Sequence, residues 1–145
     1  MTELKLKDYY LKVLKNFQSN ALFYKYFNQK KRYKETYNLL IKIVSFIKKN
    51  SDKNVRQNIY VSCDKSYFMY VCIIAILLTN NVWIPLSKSL PKKRVKDILK
   101  DVHPDMFIHD GIDDTKNFTK YTKKIYSFLS ISKKNLKASK MNIDS

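Results

Sequence analysis

The apolar residues of this chain fall into blocks whose spacing switches between the period of a helix and that of a strand. From Lys34 to Lys49 they recur at helical spacing, and the cations Lys48 and Lys49, followed by Asn50, close the run. Asn58 to Cys63 is a β-branched and aromatic run that predicts a strand. The pattern therefore predicts a helix followed by a strand.

The most apolar block runs from Tyr67 to Leu78, where twelve apolar residues follow one another. A helix needs roughly 20 such residues to span a bilayer, so this block predicts a helix packed on several sides within the protein. Asp64 or Ser66 is suited to cap its start, and Asn80 with Asn81 to end it.

The strand and helix pattern then repeats. Val82 to Leu86 predicts a strand that Pro85 stops, and a helix follows in which Ser89 can cap and Pro91 suits the first turn. Met106 to His109 predicts a third strand. The apolar stripe of the helix between these two strands contains Val95, Ile98, Leu99 and Val102.

Less regular segments flank these blocks. Residues 3–17 predict a peripheral amphipathic helix, and Ala21 to Phe27, a turn at Asn28 to Lys30 and a short KRY predict a hairpin of edge strands, whose lysines oppose sheet association. Beyond Gly111 the chain is polar and basic, apart from Ile125 to Ile131, which fits either a strand or a short helix. The apolar face of the predicted first helix contains Leu4, Leu11, Leu14 and Phe17.

Strands that alternate with helices predict an α/β fold with a mainly parallel sheet, right-handed crossovers and flanking helices. We divide the chain into a peripheral helix at 1–18, an α/β portion at 19–112 and a basic polar tail at 113–145, partly disordered over its last dozen residues. The three predicted strands should lie in one sheet. The helix residues expected to be largely inaccessible to water are Phe68, Val71, Ile74, Ala75 and Leu78.

Charge changes this picture only in part. Lys and Arg number 29 against 12 Asp and Glu, a formal charge of +17, which favours nucleic acid or an anionic surface as a partner. Only Arg32, Arg56 and Arg94 are arginines, the side chain that forks onto phosphates and guanine edges. The lysines, together with many Asn, Ile, Tyr and Phe residues, also fit an AT-rich coding sequence. We therefore expect nucleic-acid binding to be at most weak and nonspecific.

The cysteines and histidines form no evident catalytic or metal-binding pattern. Cys63 and Cys72 have neither CxxC nor zinc-ligand spacing and are interpreted as buried small hydrophobic residues in a reducing compartment. His103 and His109 lie at a helix end and a strand end without a partner for a triad, so structural or surface roles are favoured.

Two charged runs are also weak candidates. Asp113 and Asp114 fit a solvated turn better than a paired carboxylate site, and Lys92, Lys93 and Arg94 at a helix start fit a solvated face better than an anion site. The sequence therefore predicts no catalytic, cofactor-binding or metal residue in this chain. Because the first 17 residues lack the apolar core of a secretory signal, we expect a cytoplasmic protein without a membrane span.

Four blocks carry a resemblance to a known family. RYKETYNLL (Arg32 to Leu40) resembles its "tYkeL" helix entry, and the run from Asn58 to Asn81 resembles its strand, helix and "LkaG" exit, with two asparagines in place of the glycine. WIPLSKSLPKKRVKDIL (Trp83 to Leu99) resembles its "yvPLdpsyPxeRl" block, and Asp101 to Asp110 resembles the strand that follows. In order and spacing these blocks resemble the start of the adenylation domain of the adenylate-forming superfamily, which includes acyl-CoA synthetases, luciferases and amino-acid-activating domains.

The match is densest in the third block. Its PLxxSxPxxR pattern, at residues 85–94, is nearer to amino-acid-activating domains than to fatty acyl-CoA synthetases. Ser87 stands where the family usually has Asp. The matching residues are Pro85, Leu86, Ser89, Pro91 and Arg94.

The resemblance implies an AMP-forming acid–thiol ligase. ATP and a carboxylate would give an acyl adenylate and pyrophosphate, and a thiol of coenzyme A or of a carrier protein would then take the acyl group. ATP and magnesium are implied for the complete enzyme and none is expected to be bound by this chain alone, because its single glycine, Gly111, leaves no Gly-rich phosphate loop.

Three hypotheses follow. The first is a piece of an adenylate-forming ligase, incomplete, split or decayed, that is inactive alone. The second is a small basic module that binds nucleic acid or acidic surfaces. The third is a noncatalytic partner that completes the remaining part of a split synthetase. The carboxylate, the thiol acceptor and the oligomeric state stay open at this stage.

Overall fold

The computed structural model describes Asp8, Lys12 and residues 22–26, 28–52, 54–62, 64–111 and 118–133. Asp8 and Lys12 are helical. The rest of the predicted peripheral helix, Cys63, and the residues after 133 that were expected to be disordered lie outside the described residues.

Six strands and four helices of at least six residues occur along the described part of the chain from residue 22 onward. In chain order they are β1 (Leu22–Tyr26), β2 (Gln29–Arg32), α1 (Tyr33–Asn50), β3 (Asn58–Ser62), α2 (Tyr67–Leu78), β4 (Val82–Leu86), α3 (Lys92–Asp101), β5 (Met106–His109), β6 (Ile125–Ser127) and α4 (Phe128–Lys133).

The three strands predicted from the sequence lie side by side in one parallel sheet, which confirms the α/β fold. The order of the strands is β4-β3-β5-β6, and every neighbouring pair is parallel. Pro85 lies within β4, at an edge of this sheet, where a residue without a backbone N–H is tolerated. The predicted hairpin is also present, but β1 and β2 form a separate antiparallel pair instead of the edge of the main sheet.

Residues 118–133 belong to the folded body, so the sheet extends beyond the boundary that we placed at residue 112. Ile125 to Ile131 is both a strand and a helix, because β6 pairs with β5 and is followed directly by α4. The Lys124 ammonium donates to the backbone oxygen of Asn50 at 2.7 Å, and the Tyr126 ring meets the Phe46 ring edge-on at 4.7 Å. These contacts fasten the segment to the end of α1.

The two faces of the sheet are covered by different elements because side chains alternate along each strand. On β3, Ile59 and Val61 point into a cluster built with α1, α2 and α4, whereas Tyr60 points into a second cluster with Leu99 of α3 and Phe118. We call these the first face and the second face. Helices on both faces explain why the strands are apolar at nearly every position.

The prediction for α2 holds at its centre and fails at its ends. Val71, Ile74 and Ala75 are buried, as expected. Phe68 and Leu78 are only partly buried, because they lie in the first and last turns, where fewer neighbours surround a side chain. No helix within the described residues is both long and apolar enough to cross a bilayer.

The residues that begin and end α2 are the ones the sequence indicated. Of the two predicted caps it is Ser66 that acts, since its hydroxyl accepts from the Met69 N–H at 3.2 Å. Asn80 adopts the left-handed conformation with φ of 59°, and the N–H groups of Asn80 and Asn81 donate to the carbonyls of Leu77 and Ile76, each at 3.1 Å. Asparagine therefore replaces the glycine that usually ends such a helix.

The start of α3 differs from its prediction. Pro91, not Ser89, occupies the N-cap position, and no side chain caps the helix. The Ser89 hydroxyl is instead 2.7 Å from the Ser87 hydroxyl. Pro91 itself lies outside the helix, with φ of −58° and ψ of 144°, so the first helical residue is Lys92.

Candidate functional site

The candidate site lies at the carboxyl ends of the four parallel strands, and we call this side of the sheet the carboxyl edge. Ser62 of β3 lies opposite both Leu86 of β4 and His109 of β5, and His109 lies opposite Ser127 of β6. These four residues therefore form a row across the sheet. In open α/β folds, ligands bind outside the carboxyl ends of the strands. This row and the loops that follow it are therefore the candidate ligand-binding site.

An ion pair spans the end of β3. Lys88, two residues after β4, has its ammonium 2.6 Å and 2.5 Å from the two carboxylate oxygens of Asp110, the first residue after β5. Both side chains are largely buried, with 18% and 21% of their surface exposed. Because β4 and β5 lie on either side of β3, this pair joins two loops across the strand between them. Its partly buried setting limits screening by salt.

His109 contributes an aromatic and hydrogen-bonding group to the same edge. Its ring stacks on Phe107 at 5.6 Å, and Phe107 in turn stacks on Phe118 at 3.8 Å, with the two rings nearly parallel at 4°. The Gly111 N–H donates to His109 Nδ1 at 3.0 Å, in a turn where Gly111 has φ of 95°. A side chain at Gly111 would be strained there whatever the space around it. His109 is therefore held by its own loop and strand.

The structure does not bring the two histidines together. His103 is exposed in the loop before β5, at the opposite end of the sheet, where its backbone oxygen accepts from the Asn58 side chain at 3.1 Å. In the same loop the Asp105 carboxylate accepts from the Asn58 N–H at 2.7 Å. The backbone of His103 and the side chain of Asp105 thus help to fix the start of β3.

The other residues considered as candidates from the sequence contribute no functional group to this site. Cys72 is fully buried in α2, and Lys92, Lys93 and Arg94 are exposed in the first turn of α3. Asp113 and Asp114 lie outside the described residues. Within the ranges that the structure describes, no three His, Cys, Asp or Glu side chains come close enough to hold a metal ion.

Three tyrosines that pack beside the sheet have raised pKa values. Burial raises the pKa of Tyr60, helped by the nearby Asp101, and burial alone raises the pKa of Tyr126. Burial also raises the pKa of Tyr67, with a smaller opposing effect of its hydrogen bond to Thr36 and a further rise from Glu35. These phenols stay protonated at neutral pH and act as donors. The Tyr60 hydroxyl donates to the Val102 carbonyl, for example.

The Lys88–Asp110 pair was missed by the sequence reasoning. Its two residues are 22 positions apart and lie in two separate blocks of the sequence, Trp83 to Leu99 and Asp101 to Asp110. One feature of the sequence could have predicted the pair. Both residues closely follow predicted strands, and the carboxyl ends of parallel strands lie on the same side of a sheet.

Comparison with known proteins places the fold. No protein-family model matches the chain, and no curated protein matches it by sequence. Solved structures do match. The N-terminal subdomain of NpsA from Klebsiella oxytoca, in complex with 3-hydroxyanthranilyl-AMSN, superposes with a TM-score of 0.74 at 15% identity, over 93% of this chain and 32% of the NpsA chain.

Two further structures give the same result. VinN in complex with L-aspartate superposes with a TM-score of 0.62 at 15% identity, over 73% of this chain and 30% of VinN. MatB from Rhodopseudomonas palustris superposes with a TM-score of 0.58 at 14% identity, over 68% of this chain and 20% of MatB. This chain thus spans less than a third of each of these solved chains.

NpsA also occurs in an artificially fused adenylation and PCP di-domain, which this chain matches with a TM-score of 0.69 at 13% identity. The fold is therefore similar to part of the N-terminal subdomain of NpsA, an adenylation domain. Identities this low show the fold alone.

Proposed function

We propose that these residues form the opening part of the large subdomain of an adenylate-forming enzyme that activates an amino acid or another carboxylate. The observation that carries the proposal is the superposition on the NpsA subdomain over 93% of this chain. The four sequence blocks that resemble the family supply independent support. They fall at the joints of this sheet, including the start of α1, the left-handed exit of α2 at Asn80 and the run from β4 into α3.

In the complete enzyme, ATP and magnesium would serve to convert the carboxylate to an acyl adenylate and pyrophosphate, before a thiol takes the acyl group. The described residues do not fit an ATP phosphate site. The single glycine, Gly111, provides no run of backbone N–H groups free to surround phosphates, and the Lys88 ammonium already contacts both oxygens of Asp110. We therefore propose that the chemistry is carried by residues outside this sequence.

The role left to these residues is to support the rest of the site. The sheet brings the ends of four strands to one edge, and the Lys88–Asp110 pair fixes two of the loops there. A part of this kind would act either as a segment of one enzyme or as the noncatalytic partner of a split synthetase. The same proposal assigns a carrier protein or the remaining enzyme as partner.

Pyrophosphate exchange dependent on a carboxylate tests the proposal. The 145-residue chain, assayed with magnesium, ATP and a panel of amino and fatty acids, should give only background, beside a complete adenylation domain as the positive control. Adding a separately produced polypeptide that contains the Gly-rich loop, encoded downstream, should restore turnover if the enzyme is split. Exchange by the 145-residue chain alone would show that the assignment of the chemistry to other residues is wrong.

A further inference from the structure

The two outer strands of the parallel sheet differ in the backbone groups that they present. Along a strand, the N–H and C=O groups of successive residues point to opposite sides, so an outer strand leaves those of alternate residues unpaired. The order β4-β3-β5-β6 places β4 at one side of the sheet and β6 at the other. We call the outward sides of these two strands the β4 edge and the β6 edge.

The β4 edge is poorly suited to receive another strand. The Val82 N–H donates to the Gln57 carbonyl at 2.8 Å, so Val82, and two positions later Ile84, direct their backbone groups toward β3. Trp83 and Pro85 alternate with them and therefore face outward. Proline has no N–H to donate, so one of the two outward positions within β4 is blocked, a protection that natural sheet edges often use.

The β6 edge lacks a proline of this kind. The Phe107 N–H donates to the Lys124 carbonyl at 2.9 Å, so Lys124 and, two positions later, Tyr126 direct their backbone groups toward β5. Ile125 and Ser127 alternate with them and therefore face outward. No strand among the residues that the structure describes pairs with this side of β6.

Three backbone groups on the β6 edge are available to a further strand. They are the N–H and the carbonyl of Ile125 and the N–H of Ser127, which no other described residue contacts by a hydrogen bond. The Ser127 carbonyl is already used, because it accepts from the Ser130 hydroxyl at 2.8 Å. The edge is therefore short, but it offers donors and an acceptor in the spacing of a strand.

An exposed apolar side chain lies beside the same edge. Leu129 of α4 follows Ser127 by two positions and is 63% exposed, the highest value among the large apolar side chains of the described residues. In the same helix Phe128 stacks on Phe68 at 4.0 Å, and Ile131 is fully buried. The helix is thus held on the first face with Leu129 turned away from the core. A partner that adds a strand to β6 would also cover Leu129.

We infer that the β6 edge pairs with a strand from the remaining part of the adenylation subdomain, an inference that rests on the proposed function. The comparison with NpsA argues for this occupant, because the match includes 93% of this chain but only 32% of the NpsA chain. The added strand would accept from the N–H groups of Ile125 and Ser127 and donate to the Ile125 carbonyl. The same edge serves whether that part follows on the same polypeptide or comes from a separate one.

A second copy of this chain is a poorer occupant of the β6 edge. Each copy has a formal net charge of +17, so two copies repel one another. Lys123, two positions before β6, and Lys133, at the end of α4, are both exposed. Pairing of two copies through β6 would bring these cations close to those of the other copy.

Hydrogen–deuterium exchange followed by NMR tests the inference on two proteins. The first is the complete 145-residue chain, and the second is the same chain joined to the part of the NpsA subdomain that it does not match. In the first, the amides of Ile125 and Ser127 should exchange about tenfold or more faster than the amide of Tyr126, which bonds within the sheet. In the joined protein they should slow by about tenfold or more. The Trp83 amide, on the β4 edge, is the comparison and should change less.

Matched variants at residue 125 separate strand pairing from folding. Ile125→Pro removes the outward N–H, as Pro85 does on β4, whereas Ile125→Val keeps it with a similar side chain. In urea denaturation, Ile125→Pro should lower the midpoint further in the joined protein than in the 145-residue chain, because a hydrogen bond to the added strand is lost only there. Ile125→Val should lower both midpoints equally.

Four results would overturn the inference. In the 145-residue chain, amides of Ile125 and Ser127 that exchange as slowly as that of Tyr126 would show that the edge is already covered. Fast exchange of both amides in a folded joined protein would show that no strand is added. Failure of the joined protein to unfold cooperatively, beside the intact NpsA subdomain as control, would also count against it. A dimer of the 145-residue chain that Ile125→Pro abolishes, measured by analytical ultracentrifugation, would identify a second copy as the occupant.

The inference and the proposed function fail separately. Carboxylate-dependent pyrophosphate exchange by the 145-residue chain alone contradicts the proposed function, whatever the amides of β6 do. An open β6 edge in a folded joined protein contradicts the inference and leaves the proposed function standing.

Discussion

The first and second faces of the parallel sheet are covered to very different extents. Among the residues that the structure describes, 16 buried apolar residues on the first face come from α1, α2, α4 and the strands, whereas five lie on the second face. Of the ten residues of α3, Leu99 alone is buried. The difference indicates that the first face supplies most of the hydrophobic stabilisation, since this scales with the apolar area removed from water.

The largest effect is expected from a charge placed in the first face. Ile74 in α2 is 8% exposed, so Ile74→Asp would bury a carboxylate without a partner and should lower the free energy of unfolding by about 4 kcal/mol or more. Urea denaturation followed by circular dichroism measures this. Leu77→Asp, on the exposed side of the same helix, is the control and should cost far less. A variant at Ile74 as stable as the natural chain would disprove the buried position of α2.

Two truncations to alanine, one on each face, compare the packing of the two faces directly. Ile43 in α1 and Leu99 in α3 are both almost fully buried, at 0% and 1% exposure. Ile43→Ala should cost about 4 kcal/mol and Leu99→Ala about 2 kcal/mol, because the thinly covered second face can relax around the cavity. The same urea experiment gives both values. Equal costs would mean that the second face is packed as rigidly as the first.

A smaller effect on stability is expected in the turn that connects α2 to β4. The Asn81 side chain is buried and accepts from the Gln57 N–H at 2.8 Å, so Asn81→Ala leaves a buried donor unsatisfied and should cost about 1–2 kcal/mol. Asn80→Gly is the control and should be nearly neutral, since glycine adopts the left-handed conformation freely. Thermal denaturation of both variants checks this. A loss at Asn80→Gly as large as at Asn81→Ala would contradict it.

The smallest effect concerns alkaline pH. Burial raises the pKa of Tyr60 on the second face and of Tyr67 and Tyr126 on the first, above the ordinary value of 10.0. A raised pKa means that the folded state holds its proton more tightly than the unfolded state. The resulting stability is therefore complete below pH 10 and is lost as the pH rises through the folded-state pKa values.

Urea denaturation over a series of alkaline pH values tests this expectation. Tyr60→Phe should reduce the slope of that loss, apart from a constant cost for the hydrogen bond to the Val102 carbonyl. Tyr121→Phe is a control, because this tyrosine is more exposed than Tyr60. A slope unchanged in Tyr60→Phe would show that Tyr60 does not contribute.

Much of the fold could be predicted because its signals are local. The bounds of α2, β4 and β5 follow from unbroken apolar runs that end at polar residues, proline or asparagine. Ser66 and Asn80 were identifiable because capping depends on residues within one helical turn. Ser89 does not act as the cap because Pro91 occupies the N-cap position, and Phe68 and Leu78 are only partly buried because periodicity does not show where a helix leaves the core.

The candidate site was much less predictable. The row of Ser62, Leu86, His109 and Ser127 depends on which strands are neighbours, and the sequence fixes no strand order. The Lys88–Asp110 pair depends on β3 lying between β4 and β5. Likewise, the ring of Tyr24 in β1 contacts the rings of Tyr67 and Tyr70 in α2, which are more than 40 positions away in the chain.

By itself the sequence determined the alternation of helices and strands, the burial of α2 and the resemblance to adenylation domains, since each depends on residues close together in the chain. Tertiary structure alone decided that residues 125–127 add a fourth strand, that the hairpin stands apart from the main sheet, and that tyrosines of the hairpin and of α2 meet. The physical reason is that such contacts are selected by the free energy of packing the whole chain, in which distant segments compete for the same apolar surface.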